Sequence, residues 1–126
     1  MKSYTDITQS KKLAEILPVE SADMYYYTVN GDWEWYETPN VIERRDDLEE
    51  HAMPAWSLAT LLDQLDDVIY DDDGYAYQLQ IIKEGVQYYL IYEGADDFAS
   101  YETSLYDDLI DCCYEMILLL KEKDLL

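Results

Sequence analysis

Carboxylates are the side chains best supplied to do chemistry in this chain of 126 residues, where 29 Asp and Glu stand against 8 Lys and Arg, one His and two adjacent cysteines. Residues 63 to 115 alone hold fifteen acidic residues and a single lysine, Lys83. Hard cations such as calcium want several oxygen ligands, and Asp66, Asp67, Asp71, Asp72 and Asp73 run up to Gly74 in the manner of a calcium loop. The loop code fails, however. With Gly74 in the sixth position, Ile69 takes the first ligand place and Gln80 the twelfth, where an Asp and a bidentate Glu are required. Nucleophilic catalysis is no better served. His51 lies beside Glu49 and Glu50, while Cys112 and Cys113 sit among apolar and acidic neighbours that raise a thiol pKa instead of lowering it. No glycine-rich phosphate loop, no HExxH pair and no Cys-x-x-Cys occurs, so neither a resident metal nor a cofactor is expected.

What remains is recognition. Asp107, Asp111 and Glu115 are four residues apart on a predicted helix, about 6 Å between successive positions at 1.5 Å rise per residue. One DNA strand carries a phosphate about every 3.4 Å, so the row offers roughly half the linear charge of a strand. Asp71, Asp72 and Asp73 would extend it if the fold brought them alongside. On that reading the acidic surface imitates phosphates and occupies a basic, nucleic-acid-handling protein; on the other, the charges only solvate the surface, since each i, i+4 repulsion costs about 0.2–0.5 kcal/mol. A net charge of −21 argues against direct binding of nucleic acid or anionic membrane in either case. Tyrosine is the second unusual feature, with 14 in the chain and Tyr25, Tyr26 and Tyr27 in a row. Alternate side chains of a strand face opposite ways, so Tyr25, Tyr27 and Tyr36 are expected to form an exposed patch that a protein partner covers. Aromatics at the rim of a β-rich core are the alternative.

These residues need elements to hold them, and the chain has the length of one domain over 1–126. Asp6 with Gln9 resembles a capping box, which opens a helix to Leu17 before Pro18 closes it. Met24 to Tyr36 reads as a hairpin about Asn30-Gly31, with Thr28 opposite Trp33 and Tyr26 opposite Trp35, and with Met24, Tyr26, Thr28, Trp33 and Trp35 buried. Thr38 to Met53 shows little periodicity and is expected to be a long connection. Leu58, Leu61, Leu62 and Leu65 mark a second helix from Ser57. An acidic turn from Asp66 to Gly74 precedes a second hairpin about Glu84-Gly85, aligning Tyr77, Leu79, Ile81 and Lys83 with Tyr92, Leu90, Tyr88 and Val86. A last helix from Ser104 carries the stripe Tyr106, Leu109, Ile110, Cys113, Met116, Ile117 and Leu120. The expected fold is α+β: one antiparallel sheet from two hairpins packed with three helices, in the order α-ββ-α-ββ-α.

Three segments carry a likeness: QSKKLAEILPVESADM (Gln9 to Met24), PAWSLATLL (Pro54 to Leu62) and CYEMILLLKEKDLL (Cys113 to Leu126). Through them the chain resembles a family of small uncharacterised proteins of gut-dwelling Bacteroidetes bacteria and their phages or mobile elements. The resemblance implies that setting and supplies no activity, ligand or catalytic residue. Residues 1–12 lack the apolar core of a secretory signal and no run is long enough to span a bilayer, so a cytoplasmic protein is expected, as monomer or homodimer. The sequence as a whole leads to an acidic interaction protein, not an enzyme, with a small-ligand-binding domain or an enzyme pocketed between hairpin and helix as the rival.

Overall fold

The structure is a computed structural model that describes residues 1–28, 35–42, 52–94 and 100–126. It is an α+β protein with two antiparallel sheets where one was expected. The elements are α1 (Ile7–Leu13), a 3-10 turn (Val19–Ser21), β1 (Met24–Tyr26), β2 (Asn40–Val41), β3 (Met53–Ala55), α2 (Leu58–Asp63), β4 (Val68–Tyr70), β5 (Ala76–Glu84), β6 (Gln87–Gly94), β7 (Tyr101–Glu102) and α3 (Leu109–Glu122). Contacts group them into two compact units, Ser3–Thr60 and Met1–Lys2 with Leu61–Leu126, and the division falls within α2.

In the unit Ser3–Thr60 the capping box closes as read: the Gln9 amide donates to Asp6 Oδ1 at 2.8 Å and the Asp6 amide to Gln9 Oε1 at 3.1 Å. α1 ends four residues earlier than expected, at Leu13, and a final turn carried by the Leu17 amide on the Leu13 carbonyl (2.8 Å) leads to Pro18. Past Leu13 the Glu15 and Ile16 amides reach back three residues, to Lys12 (3.2 Å) and Leu13 (2.9 Å), so the chain tightens into 3-10 turns before Pro18. β1 lies between β2 and β3 in the order β2-β1-β3. It pairs Met24 with Val41 on one side and Tyr26 with Met53 on the other. The segment Thr38 to Met53, expected to be only a connection, therefore supplies strand residues at both its ends. These strands are too short to show alternation, and one contains Pro54.

The first hairpin keeps its faces but not its register. Thr28 bridges Trp35 instead of Trp33, and the Tyr36 amide donates to the Tyr27 carbonyl at 3.1 Å. A slip of two residues preserves the side each residue takes. Tyr26 is thus fully buried with Met53 and Ala55, and Met24, Trp35 and Ile7 pack against them. The expected Asn30-Gly31 turn and Trp33 lie outside the described residues. Thr5 ties this unit together. Its amide donates to the Trp56 carbonyl (2.9 Å), its Oγ1 accepts the Trp56 amide (3.1 Å) and meets Ser10 Oγ (2.8 Å), and its carbonyl accepts the Tyr26 hydroxyl (2.8 Å).

In the second unit, β4 to β7 form a four-stranded sheet in sequence order, and α3 packs on β6 and β7. β4 occupies part of what was read as an acidic turn; Val68-Ile69-Tyr70 is a β-prone triplet hidden between acidic neighbours. The β5–β6 hairpin again slips by two: Leu79 pairs with Tyr92, Ile81 with Leu90 and Glu84 with Gln87, so the turn is Gly85-Val86 and not Glu84-Gly85. Gly85 has φ +65° while Val86 stays at ordinary φ, so one glycine meets the whole demand of a turn that needs positive φ at its first position alone. The expected turn would have forced Glu84 to positive φ as well. Val86, expected to share a face with Tyr77 and Leu90, is 83% exposed at the tip. Of the rest of that face, Tyr77, Leu90 and Tyr92 are buried and Leu79 and Tyr88 half-buried, while Ile81 is 48% exposed and Lys83 is exposed; in the α3 stripe Ile110, Cys113, Met116, Ile117 and Leu120 are buried and Tyr106 and Leu109 half-buried. Gly94 stands opposite Tyr77, whose ring lies 3.2 Å from where a Cβ would be, so a side chain there would push the ring aside.

The last helix starts at Leu109 with Asp108 as its cap, not at Ser104. Tyr106 exchanges both backbone hydrogen bonds with Tyr88 (2.8 and 2.9 Å), which keeps the chain extended until that point. Among the described residues no helix is long and apolar enough to cross a membrane.

Candidate functional site

Alternation along β1 and its continuation sends Tyr25 and Tyr27 to the side opposite Tyr26, and the Thr28–Trp35 bridge brings Tyr36 next to Tyr27. The three rings form one cluster: Tyr25 and Tyr27 have centroids 6.1 Å apart, Tyr27 and Tyr36 4.5 Å apart and tilted by 48°. Tyr27 and Tyr36 are each 40% exposed. Beside them opens a groove of about 420 Å³ lined by Tyr27, Tyr36, Glu37, Thr38 and Asn40. It combines aromatic faces with one carboxylate, a hydroxyl and an amide. Aromatic faces carry a negative potential that attracts Lys and Arg head groups, and a neighbouring carboxylate adds to it.

The acidic candidates are more occupied with their own fold. Asp71 organises the β4–β5 turn: its Oδ1 accepts the amides of Asp73 (3.0 Å) and Tyr75 (2.9 Å), and its Oδ2 accepts the Tyr77 hydroxyl (2.9 Å). Desolvation works against the charged form, but these hydrogen bonds outweigh it and hold the Asp71 carboxyl below its ordinary range. The same bond to Asp71, followed by burial, pushes the Tyr77 phenol up to about 12. Asp72 and Asp73 are exposed at the tip.

The row Asp107, Asp111 and Glu115 does not form on one helix face. Asp107 precedes the cap of α3 and is exposed, because the Tyr88–Tyr106 bridge delays the helix. Asp111 accepts Lys2 Nζ at 2.9 Å. Glu115 accepts the Ser104 amide at 3.0 Å. Burial, and then the hydrogen bond to Glu115, raise the Tyr106 phenol. A four-residue spacing is legible in sequence; the anchors that engage Asp111 and Glu115 are not.

Neither cysteine is poised for chemistry. Both are fully buried. Burial pushes the Cys112 thiol up to about 11, with the Asp111 and Glu115 carboxylates adding to it, and the Sγ donates to the Tyr88 carbonyl at 3.2 Å. Cys113 rises to about 12 for the same leading reason. His51 lies outside the described residues. Among the described residues, no three His, Cys, Asp or Glu side chains gather to hold a metal ion. Compared with family models, curated proteins and solved structures, the chain matches none of them.

Proposed function

We propose that this chain is an acidic, non-enzymatic interaction protein that takes a Lys- or Arg-bearing segment of a partner protein at the tyrosine cluster Tyr25, Tyr27 and Tyr36. A basic, nucleic-acid-handling protein is the most specific form of that partner, in a phage or mobile-element setting. One observation carries the reading: the Tyr27 and Tyr36 rings touch, stay 40% exposed and border a groove with Glu37 on its wall. Tyrosines supply rigid contact area at small entropic cost, and cationic head groups over such rings gain about 0.5–2 kcal/mol each. The net charge of −21 would steer a basic partner towards the chain and make association salt-sensitive.

Phosphate mimicry by the α3 row is the weaker form of this reading, because Asp111 is engaged by Lys2 and Glu115 by Ser104. The rival, a small-ligand domain or enzyme, would use the same groove, whose volume falls within the range of about 300–1,000 Å³ typical of ligand sites. Among the described residues its walls offer no His, Cys or Lys for group transfer. The test is calorimetric titration of an Arg-rich unstructured peptide into wild type and into Tyr27→Ala/Tyr36→Ala. Binding that the double substitution weakens about tenfold or more supports the reading. Equal binding by both proteins refutes it.

A further inference from the structure

Paired residues in an antiparallel sheet share a face, so the register of β4 to β7 divides the sheet into two sides. Tyr77, Leu90 and Tyr92 lie on the buried one. The opposite side carries Val68 and Tyr70 of β4, the even-numbered residues of β5, the odd-numbered residues of β6 and Glu102 of β7. Tyr70 is 63% exposed, Val68 38%, and Ile82, Tyr89 and Ile91 are only half-buried. Cross-strand neighbours Ile82 and Tyr89 with Ile91 make an apolar strip, and the exposed carboxylates Glu84, Glu93 and Glu102 edge it. These strands contain one basic residue, Lys83, and it faces the other way, over the Tyr88 ring at 5.8 Å. A groove of about 400 Å³ lies at one end, between Val68, Gln78, Gln80 and Glu93.

We propose that this open face of the β4–β7 sheet docks a cationic amphipathic helix of a partner protein. The apolar strip asks for an apolar stripe, and three carboxylates with no strand cation on their side among the described residues ask for Lys and Arg on its flanks. A second copy of the chain would set these same carboxylates against each other, which selects a different protein. The dimensions suit a helix. Its diameter of about 10 Å covers two strands spaced about 4.8 Å apart. From the Glu84–Gln87 pair to the Gln78–Glu93 pair is six residues, about 20 Å, which about 14 helical residues would span. This surface shares no residue with the tyrosine groove.

The experiment uses the full chain and a fluorescein-labelled 14-residue Lys/Leu peptide with helical amphipathic spacing, read by fluorescence polarisation. An isomer of identical composition with scrambled spacing serves as control. The expected result is saturable one-to-one binding of the patterned peptide, at least about tenfold tighter than its isomer. Neutralising E84Q/E93Q/E102Q should weaken it about tenfold, whereas D72N/D73N/D107N, an equal change of charge elsewhere, should alter it less than about twofold. Tyr89→Ser should reduce it further without touching charge. Equal binding of the isomer, or equal weakening by both triple substitutions, would reduce the attraction to the field of the whole molecule and overturn the proposal. Loss of peptide binding only in Tyr27→Ala/Tyr36→Ala would move the site to the tyrosine groove, sinking this inference and leaving the other standing. Sedimentation showing a dimer that Ile91→Lys dissolves would assign the face to a second copy and would also overturn it.

Discussion

Replacing Thr5 by valine should destabilise the protein more than replacing it by serine, although valine keeps the shape and serine loses a methyl group. Thr5, Ser10 and Trp56 are all fully buried, and Thr5 Oγ1 accepts the Trp56 amide at 3.1 Å while sharing a proton with Ser10 Oγ at 2.8 Å. Valine leaves that amide without an acceptor, at about 1–3 kcal/mol. The Ser10 hydroxyl fares better, since a helical serine can turn to the carbonyl four residues back. One added methyl returns about 0.8 kcal/mol, leaving a net loss of up to about 2 kcal/mol for an amide buried this deeply. Serine keeps both hydrogen bonds and gives up one methyl, about 1 kcal/mol. Urea unfolding followed by tryptophan fluorescence measures the difference. A cycle with Ser10→Ala then apportions it, because removing both hydroxyls should cost less than the two single losses added together. If Thr5→Val proved as stable as Thr5→Ser, the hub would be a packing contact and the hydrogen-bond argument would fail.

Asp124→Gly should stabilise the protein by about 1 kcal/mol and Asp124→Ala should not, as read by thermal melts. Asp124 sits at φ 57° just beyond α3, where the Leu125 amide reaches the Leu120 carbonyl (2.8 Å) and its own amide reaches Lys121 (3.2 Å), a left-handed position that glycine fills without strain. Stability should also fall on the alkaline side. Burial raises the Tyr26 phenol from 10.0 to about 12 and the Cys112 and Cys113 thiols from 9.0 to about 11 and about 12. The unfolded chain thus releases its protons first, so the contribution is intact below about pH 9 and disappears as pH climbs through the folded values. Urea midpoints at about pH 8 and about pH 10.5 check this; an unchanged midpoint would contradict it.

Faces were easier to read than registers. Alternation alone separated Tyr26 from Tyr25 and Tyr27, and Tyr77 from Gln78, because the period of two survives a slip of two residues. The slip itself depended on which residue of a turn must hold positive φ, and Gly85 settled that in favour of Gly85-Val86. β2 and β3 escaped because two or three residues cannot display a period. The start of α3 escaped because a long-range bridge between Tyr88 and Tyr106 overrides a run of helix-favouring residues. The shared side of Tyr25, Tyr27 and Tyr36 was legible from spacing, but not that Tyr25 is half-buried while Tyr27 and Tyr36 stay exposed. The engagement of Asp111 and Glu115 was not, since each is met by a residue that the fold, not the local pattern, delivers, whereas Asp71 is held within its own turn by Asp73, Tyr75 and Tyr77. Thr5 gave no signal at all, being an ordinary residue whose partner lies 51 positions away.

The placement of the two cysteines also bears on how the protein can be handled. Consecutive helical residues project in directions roughly 100° apart, so these neighbours do not close a bridge with each other, and both are shut away from solvent. The native molecule should tolerate air without added reductant and ignore maleimide dyes. A single cysteine introduced at the hairpin tip, Val86→Cys, would then be the one accessible handle among the described residues for attaching a probe or a surface linker.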